Sequence, residues 1–278
     1  MKHIFLFTIL LTAYFFNSCA GMADKDSGAD SAESVYRAAW HAAGSLPSKY
    51  TTYEKKEIIP LFPERKTGGP SLEFTVDTLD VSNGAERGLL QRILYEGLTC
   101  EDYAEKVYAD IKDGYQKTTD DAESRGSVSH DWYYKEWFSG VIYPELLVIS
   151  RESYVYSGGA HGENQKTYFV IDTKRLSQIT LGDILKPDSG EALQKEIDGA
   201  LRAKYSAPLT QAGFFADTAG ESDNFFISRE GLGFCWNPYD IAPYAMGVIE
   251  VVLPYDRIEN LLTERGAALL ANLETQRL

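Results

Sequence analysis

The sequence predicts an α+β fold: a mainly antiparallel sheet with helices packed on it, in two adjoining subdomains. Three features point there. Stretches with apolar residues at period two follow one another through turns, apolar residues at helical spacing come in separate blocks, and the regular strand–helix alternation of a doubly wound parallel sheet is missing.

The chain opens with MKHIFLFTILLTAYFFNS, in which one cation, Lys2, precedes an apolar core from Ile4 to Phe16. That core is too short for a membrane-spanning helix, which needs about 20 residues, and has the length of a secretory leader. Residues 1–18 are therefore expected to be removed. Cys19 follows at once, flanked by Ser18 and Ala20, a setting that resembles the lipobox of bacterial lipoproteins. Phe16 and Asn17 stand where the usual box has Leu and a small residue, so an ordinary secretory leader is the competing reading. Residues 19–48 are expected to be a flexible tether from a lipid on Cys19, since AGMADKDSGADSAES has almost nothing to bury. These features place the protein in the cell envelope, anchored by lipid to the outer membrane, the cell surface or a periplasmic face.

From Leu72 to Val81, LEFTVDTLDV sets Leu72, Phe74 and Val76 against Glu73, Thr75 and Asp77, a half-buried strand, and Asn83-Gly84 turns the chain. Leu89, Leu90, Ile93, Leu94 and Leu98 recur at helical spacing, with Gly97 as the stop. Thr99 and Asp102 have capping-box spacing for a second helix that buries Tyr103, Val107, Tyr108 and Ile111. A polar loop is expected from Thr118 to Ser129. Two long antiparallel strands then turn near Tyr143-Pro144-Glu145, and a third strand, KTYFVIDT, follows a GGAH loop. Next come LGDIL as a short turn, a helix from Gly190 to Tyr205 with Leu193, Ile197, Leu201 and Tyr205 at four-residue steps, strands in NFFIS, LGFCW and GVIEVVLP, and a helical pattern from Tyr255 onward.

Three phrases stand in order: YSGGAH from residue 156, ITLGDIL from 179 and NPYDIAPYAMG from 237. Together they resemble a bacterial cell-envelope family of domains of unknown function. It includes the extracellular, lysozyme-sensing domain of an anti-sigma factor (RsiV type) and an accessory domain of a peptidoglycan deacetylase (PdaC type). The resemblance spans roughly residues 50–262. It implies an N-terminal α+β part of PdaC type, residues 49–162, and a C-terminal α+β part of RsiV type, residues 163–278. It also implies a ligand-binding or sensing module, with lysozyme as the partner in one branch. No sigma-binding segment or deacetylase domain is read in this sequence, so no catalytic mechanism is expected to come with the likeness.

The chain carries 27 basic and 41 acidic side chains, a net charge of −14. A nucleic-acid partner is excluded on that balance, because phosphate binding needs a cationic face. The same acidity suits a cationic partner, and it also keeps a secreted protein soluble, the plainer explanation. Cys100 and Cys235 each sit among apolar and aromatic residues and are expected to be free thiols rather than a bridge.

Catalytic signatures are missing. His41, His130 and His161 have no second histidine or cysteine at metal-binding spacing, and there is no nucleophile elbow, phosphate loop or dinucleotide fingerprint. Neither a metal nor another cofactor is expected. Ser157 has no base beside it and reads as a turn serine. Asp120-Asp121 and Glu221 with Asp223 lie in stretches that read as polar loops, and a glycosidase would need two carboxylates flanking one bond. An envelope hydrolase acting on peptidoglycan or polysaccharide is thus the alternative, and a non-enzymatic binder of a protein or cell-wall glycan the leading expectation. Its candidate ligand-binding residues are Tyr156, Ser157, Gly158, Gly159 and His161 in the GGAH loop, with Tyr239 and Tyr244 in the PYDIAPYAMG segment. The bland reading of the loop is a turn in which glycines supply unusual backbone angles and His161 bonds a neighbour.

Overall fold

A computed structural model describes residues 48–58, 71–81, 84–124, 130–143, 145–205, 208–220 and 222–274. The leader, Cys19, the tether, His41, Asn83, Pro144 and Glu221 lie outside the described residues. Six strands form one sheet in chain order: β1 (Ser48–Ile58), β2 (Ser71–Val81), β3 (Trp132–Ile142), β4 (Leu146–Tyr156), β5 (Glu163–Asp172) and β6 (Ser177–Gln178). A smaller sheet is the antiparallel meander β7 (Phe225–Ile227), β8 (Leu232–Trp236) and β9 (Ile249–Leu253). The α+β class and the mostly antiparallel pairing hold. The exception within the sheet is β2, which runs parallel to β3. Parallel neighbours need a long crossover, supplied here by α1 (Gly84–Leu94) and α2 (Cys100–Ser124).

The crossover helices cover one face of the large sheet. Leu89, Leu90 and Leu94 of α1 and Tyr103 of α2 pack against Phe74, Val76, Tyr134, Phe138, Leu147 and Ile149. Between the helices, Gly97 N–H donates to Gln91 O at 2.9 Å and Gly97 takes φ 86°, so the chain leaves α1 through a left-handed glycine as read from the sequence. Thr99 caps α2, its Oγ1 accepting from Asp102 N–H at 3.1 Å. The polar loop expected from Thr118 is a correction. Helix α2 continues to Ser124, and Asp120 and Asp121 lie on it. The reason is at Tyr115, fully buried against Trp132 and Leu72: one aromatic anchor carries an otherwise polar helix beyond its apolar stripe.

The opposite face of β4 and β5 belongs to the C-terminal layer. Leu146, Val148 and Val170 join a core with the small sheet, α4 (Gly190–Tyr205) and α6 (Glu264–Glu274). The hairpin turn between β3 and β4 closes Ile142 on Leu147, close to where the sequence placed it. Strand β5 begins at Glu163, earlier than KTYFVIDT suggested, because Val155 and Glu163 already pair across the GGAH loop. Residue 162, where the two parts of the fold were expected to meet, lies in that hairpin. LGDIL is the one-turn helix α3 (Leu181–Ile184). The helical pattern after Tyr255 is interrupted: α5 (Tyr255–Ile258) and a 3-10 turn end at Leu262, which bridges to Leu185 before α6 begins. Cys100 and Cys235 are thiols with no disulfide between them, and Cys235 is fully buried.

Gly266 lets α6 lie directly on α3, since a Cβ there would overlap the Ile184 carbonyl. Gly266→Ala is therefore expected to lose about 2–3 kcal/mol of stability. Gly199→Ala on α4, where a Cβ meets open space, should be neutral or gain up to about 1 kcal/mol from helix propensity. Urea midpoints of the two variants check both signs.

Candidate functional site

The two segments that carry the candidate residues meet. Strand β5 has β4 on one side, and β6 covers its other edge only at Ile171 and Asp172. The open stretch of that edge is closed by two asparagine side chains. Asn237 Oδ1 accepts from Lys166 N–H at 2.7 Å and its Nδ2 donates to Lys166 O at 3.2 Å. Asn224 Oδ1 accepts from Tyr168 N–H at 2.8 Å and its Nδ2 donates to Lys166 O at 2.7 Å. These bonds replace a missing strand and protect the edge from foreign pairing. They also fix NPYDIAPYAMG against the outer half of the β4–β5 hairpin.

Held there, the segment presents its tyrosines beside the GGAH loop. The His161 and Tyr244 rings stack with centroids 3.7 Å apart and planes 11° from parallel. Tyr239 lies 6.2 Å from Tyr244, is 56% exposed and has φ 74°. A bulky side chain in that region is strained, and the surrounding bonds must hold it. Tyr239 N–H donates to Ala242 O at 2.9 Å, and Asn237 N–H donates to Asp240 Oδ2 at 2.7 Å. His161 Nδ1 lies 2.9 Å from Gly162 O. The histidine thus both bonds its neighbour and forms one end of an exposed aromatic ridge.

The rest of the loop scaffolds this ridge. Gly158 and Gly159 take φ 93° and 92°, and Tyr156 Oη donates to Gly159 O at 3.2 Å. Gly162 is packed under the Tyr154 ring, where any Cβ would clash. Ser157 is exposed in the loop. Phe215, 58% exposed, was not singled out from the sequence. Its N–H donates to Ile241 O at 3.0 Å, which sets it on the neighbouring loop. The only sequence signal for it was the doublet Phe214-Phe215, of which Phe214 is buried.

Three charged clusters are carried by strands of the large sheet. In the first, Lys166 lies 3.6 Å from Glu152 and 3.2 Å from Glu250, and Tyr168 Oη donates to Glu250 at 2.9 Å. Burial alone would lower the Lys166 pKa, but Tyr168, Glu152 and Glu250 outweigh it and hold the ammonium above the ordinary lysine value. At the far end of β5, Asp172 is buried and its Oδ2 accepts from Arg175 Nη1 at 3.0 Å and from Arg265 Nη2 at 3.1 Å. Arg265 also pairs with Asp183, whose carboxylate caps α3 through Thr180. The ITLGDIL phrase is therefore a latch between α6 and the sheet. Burial would raise the Asp172 pKa, but the backbone N–H and guanidinium of Arg175 and the guanidinium of Arg265 hold it below the usual carboxylate range. On the helix face, buried Glu136 accepts from Tyr103 Oη at 2.8 Å and Tyr134 Oη at 3.0 Å. Burial pushes its carboxyl up, against the pull of Arg151 and the two hydroxyls.

Among the described residues, no group of three or more His, Cys, Asp or Glu is arranged to hold a metal ion, and no helix is long and apolar enough to cross a membrane. Fold and site together define an α+β module of unassigned activity, with a six-stranded sheet, a three-stranded sheet and an exposed aromatic ridge. Residues 182–256 match the model of a family described as "Protein of unknown function (DUF3298)". That segment contains all of NPYDIAPYAMG and most of LGDIL, so the resemblance to a family of domains of unknown function read from those phrases is met. A solved structure of a DUF3298 family member from Bacteroides fragilis is similar in fold, with TM-score 0.68 and 21% identity over 83% of this chain and 98% of that one. A DUF3298 family protein from Pseudomonas aeruginosa PAO1 gives TM-score 0.57 and 19% identity over 80% and 97%. No curated protein matches the chain.

Because the Asp172 pKa is depressed, its contribution to stability is complete above the ordinary carboxylate range and disappears as pH falls through its folded value. Asp172→Asn is expected to cost about 2–3 kcal/mol at neutral pH, and the gap to the parent protein should close below about pH 4. Denaturation at a series of pH values reads this directly. Asn237→Ala should cost about 1–3 kcal/mol by leaving Lys166 N–H unpaired. It should also raise amide exchange along residues 164–168 selectively, measured by hydrogen exchange.

Proposed function

We propose that the protein is a non-enzymatic lipoprotein of the cell envelope, anchored through Cys19, and that the ridge of Tyr239, Tyr244 and His161 binds an extracytoplasmic protein or cell-wall glycan. The observation that carries this reading is Tyr239, more than half exposed and held at φ 74° beside two stacked rings. Strain held at a surface aromatic, with the asparagine bonds maintaining it, is the signature of a pre-organised contact rather than of a packed lid. Rigid aromatic rings give large contact area at low entropic cost for protein and sugar alike. The acidic chain suits a basic partner, and the motif likeness makes lysozyme the first protein to try and peptidoglycan fragments the first glycan.

Calorimetry at low salt is expected to show binding of lysozyme or of peptidoglycan fragments, weakened about tenfold or more by Tyr239→Ala or His161→Ala. Silence from both ligands sinks the binding reading. Turnover of labelled cell wall that is lost on changing one carboxylate would establish a hydrolase instead. Cys19→Ala should abolish incorporation of radioactive palmitate, and continued labelling would remove the lipid claim.

A further inference from the structure

We propose that a second site, independent of the aromatic ridge, binds a small carboxylate with a short apolar tail in the cavity between the turn after β5 and helix α6. The cavity measures about 230 Å³ and is lined by Glu145, Lys174, Arg175, Arg265, Ala268 and Leu269. In a chain with 41 acidic and 27 basic side chains, this lining holds three cations and one carboxylate, Glu145, with Asp172 and Asp183 also paired to the arginines. Burial of Asp172 explains how the cations come together. Its Oδ1 accepts from the N–H groups of Lys174 at 3.1 Å and Arg175 at 2.7 Å, which fixes the turn. Its Oδ2 holds Arg175 Nη1 from the turn and Arg265 Nη2 from α6. One carboxylate thus sets cations from two elements at the rim before any ligand arrives, and pre-organisation lowers the cost of binding.

The latch accounts for Arg265, which also joins Asp183. It does not account for the other two. The Arg175 side chain is 59% exposed and makes no hydrogen bond among the described residues other than that to Asp172, so the remaining donors of its fork are available. Lys174 is 72% exposed and, among the described residues, its ammonium pairs with Glu145 alone, at 3.3 Å. Such an exposed pair contributes little and yields readily to a better-placed anion. Glu145 is the one carboxylate in the lining and would be the group displaced. A planar carboxylate matches the free edge of Arg175, with Lys174 as a point charge beside it. Ala268, exposed, and Leu269, nearly buried, add apolar lining from α6, which suits a short hydrocarbon tail and does nothing for a bare inorganic anion. The turn itself is strained next to the cations, with Leu176 at φ 52°, another mark of a built rather than an incidental surface.

The test titrates the full chain in low-chloride buffer with butyrate, acetate and inorganic phosphate, following amide shifts of residues 173–176 and 264–269. Butyrate is expected to saturate at concentrations on the order of millimolar, with acetate roughly fivefold weaker for want of the two methylenes. Arg175→Ala should weaken butyrate about tenfold or more, and Arg175→Lys should recover part of the loss. Lys106→Ala, which removes a cation from α2, should change nothing. Arg175→Ala loses one side-chain bond to Asp172 but keeps those from Arg265 and from the backbone N–H groups of residues 174 and 175, so the fold is expected to survive with some loss of stability, checked by circular dichroism and thermal melting. Absence of saturation with butyrate, phosphate binding as tight as butyrate, or undiminished binding in Arg175→Ala would each overturn the proposal.

Discussion

The structure depends on the β4–β5 hairpin being buried from both sides along its inner half. Leu147, Ile149 and Ile171 face the helices of the crossover, while Leu146, Val148 and Val170 face the C-terminal layer. A strand buried on both faces loses the usual guard on register, because a slip by one residue exchanges apolar for apolar. Polar groups supply that guard instead. Asp172 must reach Arg175 and Arg265, the backbone of Lys166 and Tyr168 must meet Asn237 and Asn224, and Gly158 and Gly159 must take left-handed angles where the hairpin turns. The same bonds that set the register therefore set where the aromatic ridge stands.

Local patterns in the sequence were enough for most elements, because each has its own apolar period and its own stop. Leu72, Phe74 and Val76 do lie buried on one face, and α4 buries Leu193, Ile197 and Leu201 in the order their spacing implied. What local pattern could not show is anything decided by partners distant in the chain. The parallel pairing of β2 with β3 depends on where two helices lay the chain down, and the extension of α2 depends on Tyr115 finding Trp132. The break in the last helical pattern is set by Leu262 pairing with Leu185, and no period announces it.

The candidate site divides the same way. His161, Tyr239 and Tyr244 were legible as aromatic and glycine-rich phrases, and the fold brings them together. Their supports were not legible. Asn237 reads as an ordinary turn residue before proline, yet it carries three of the bonds that hold the segment to β5 and to Asp240. Phe215 carries no signal beyond its place in a Phe–Phe doublet, and it is exposed because Phe214 takes the buried position and successive residues point apart. The three phrases thus mix two kinds of work. ITLGDIL latches the last helix, whereas YSGGAH and NPYDIAPYAMG build an exposed surface.

The acid excess gains a second meaning from these contacts. Solubility alone would leave carboxylates on the outside, where they contribute charge and little else. Here Asp172, Asp183, Asp198 and Asp217 each receive backbone or guanidinium donors. Asp198 accepts from Ala219 N–H at 2.9 Å, and Asp217 from Thr210 N–H at 3.0 Å. Carboxylates satisfy backbone groups in loops that have no strand or helix to bond to, and charge-assisted bonds do so more strongly than neutral ones. These acids sit at the end of β5, in α3, on α4 and in the loop before β7, and their donors include the turn after β5 that lines the cationic cavity. Acidity in this chain is then partly a way of holding irregular backbone still, and both candidate sites are built on backbone of that kind.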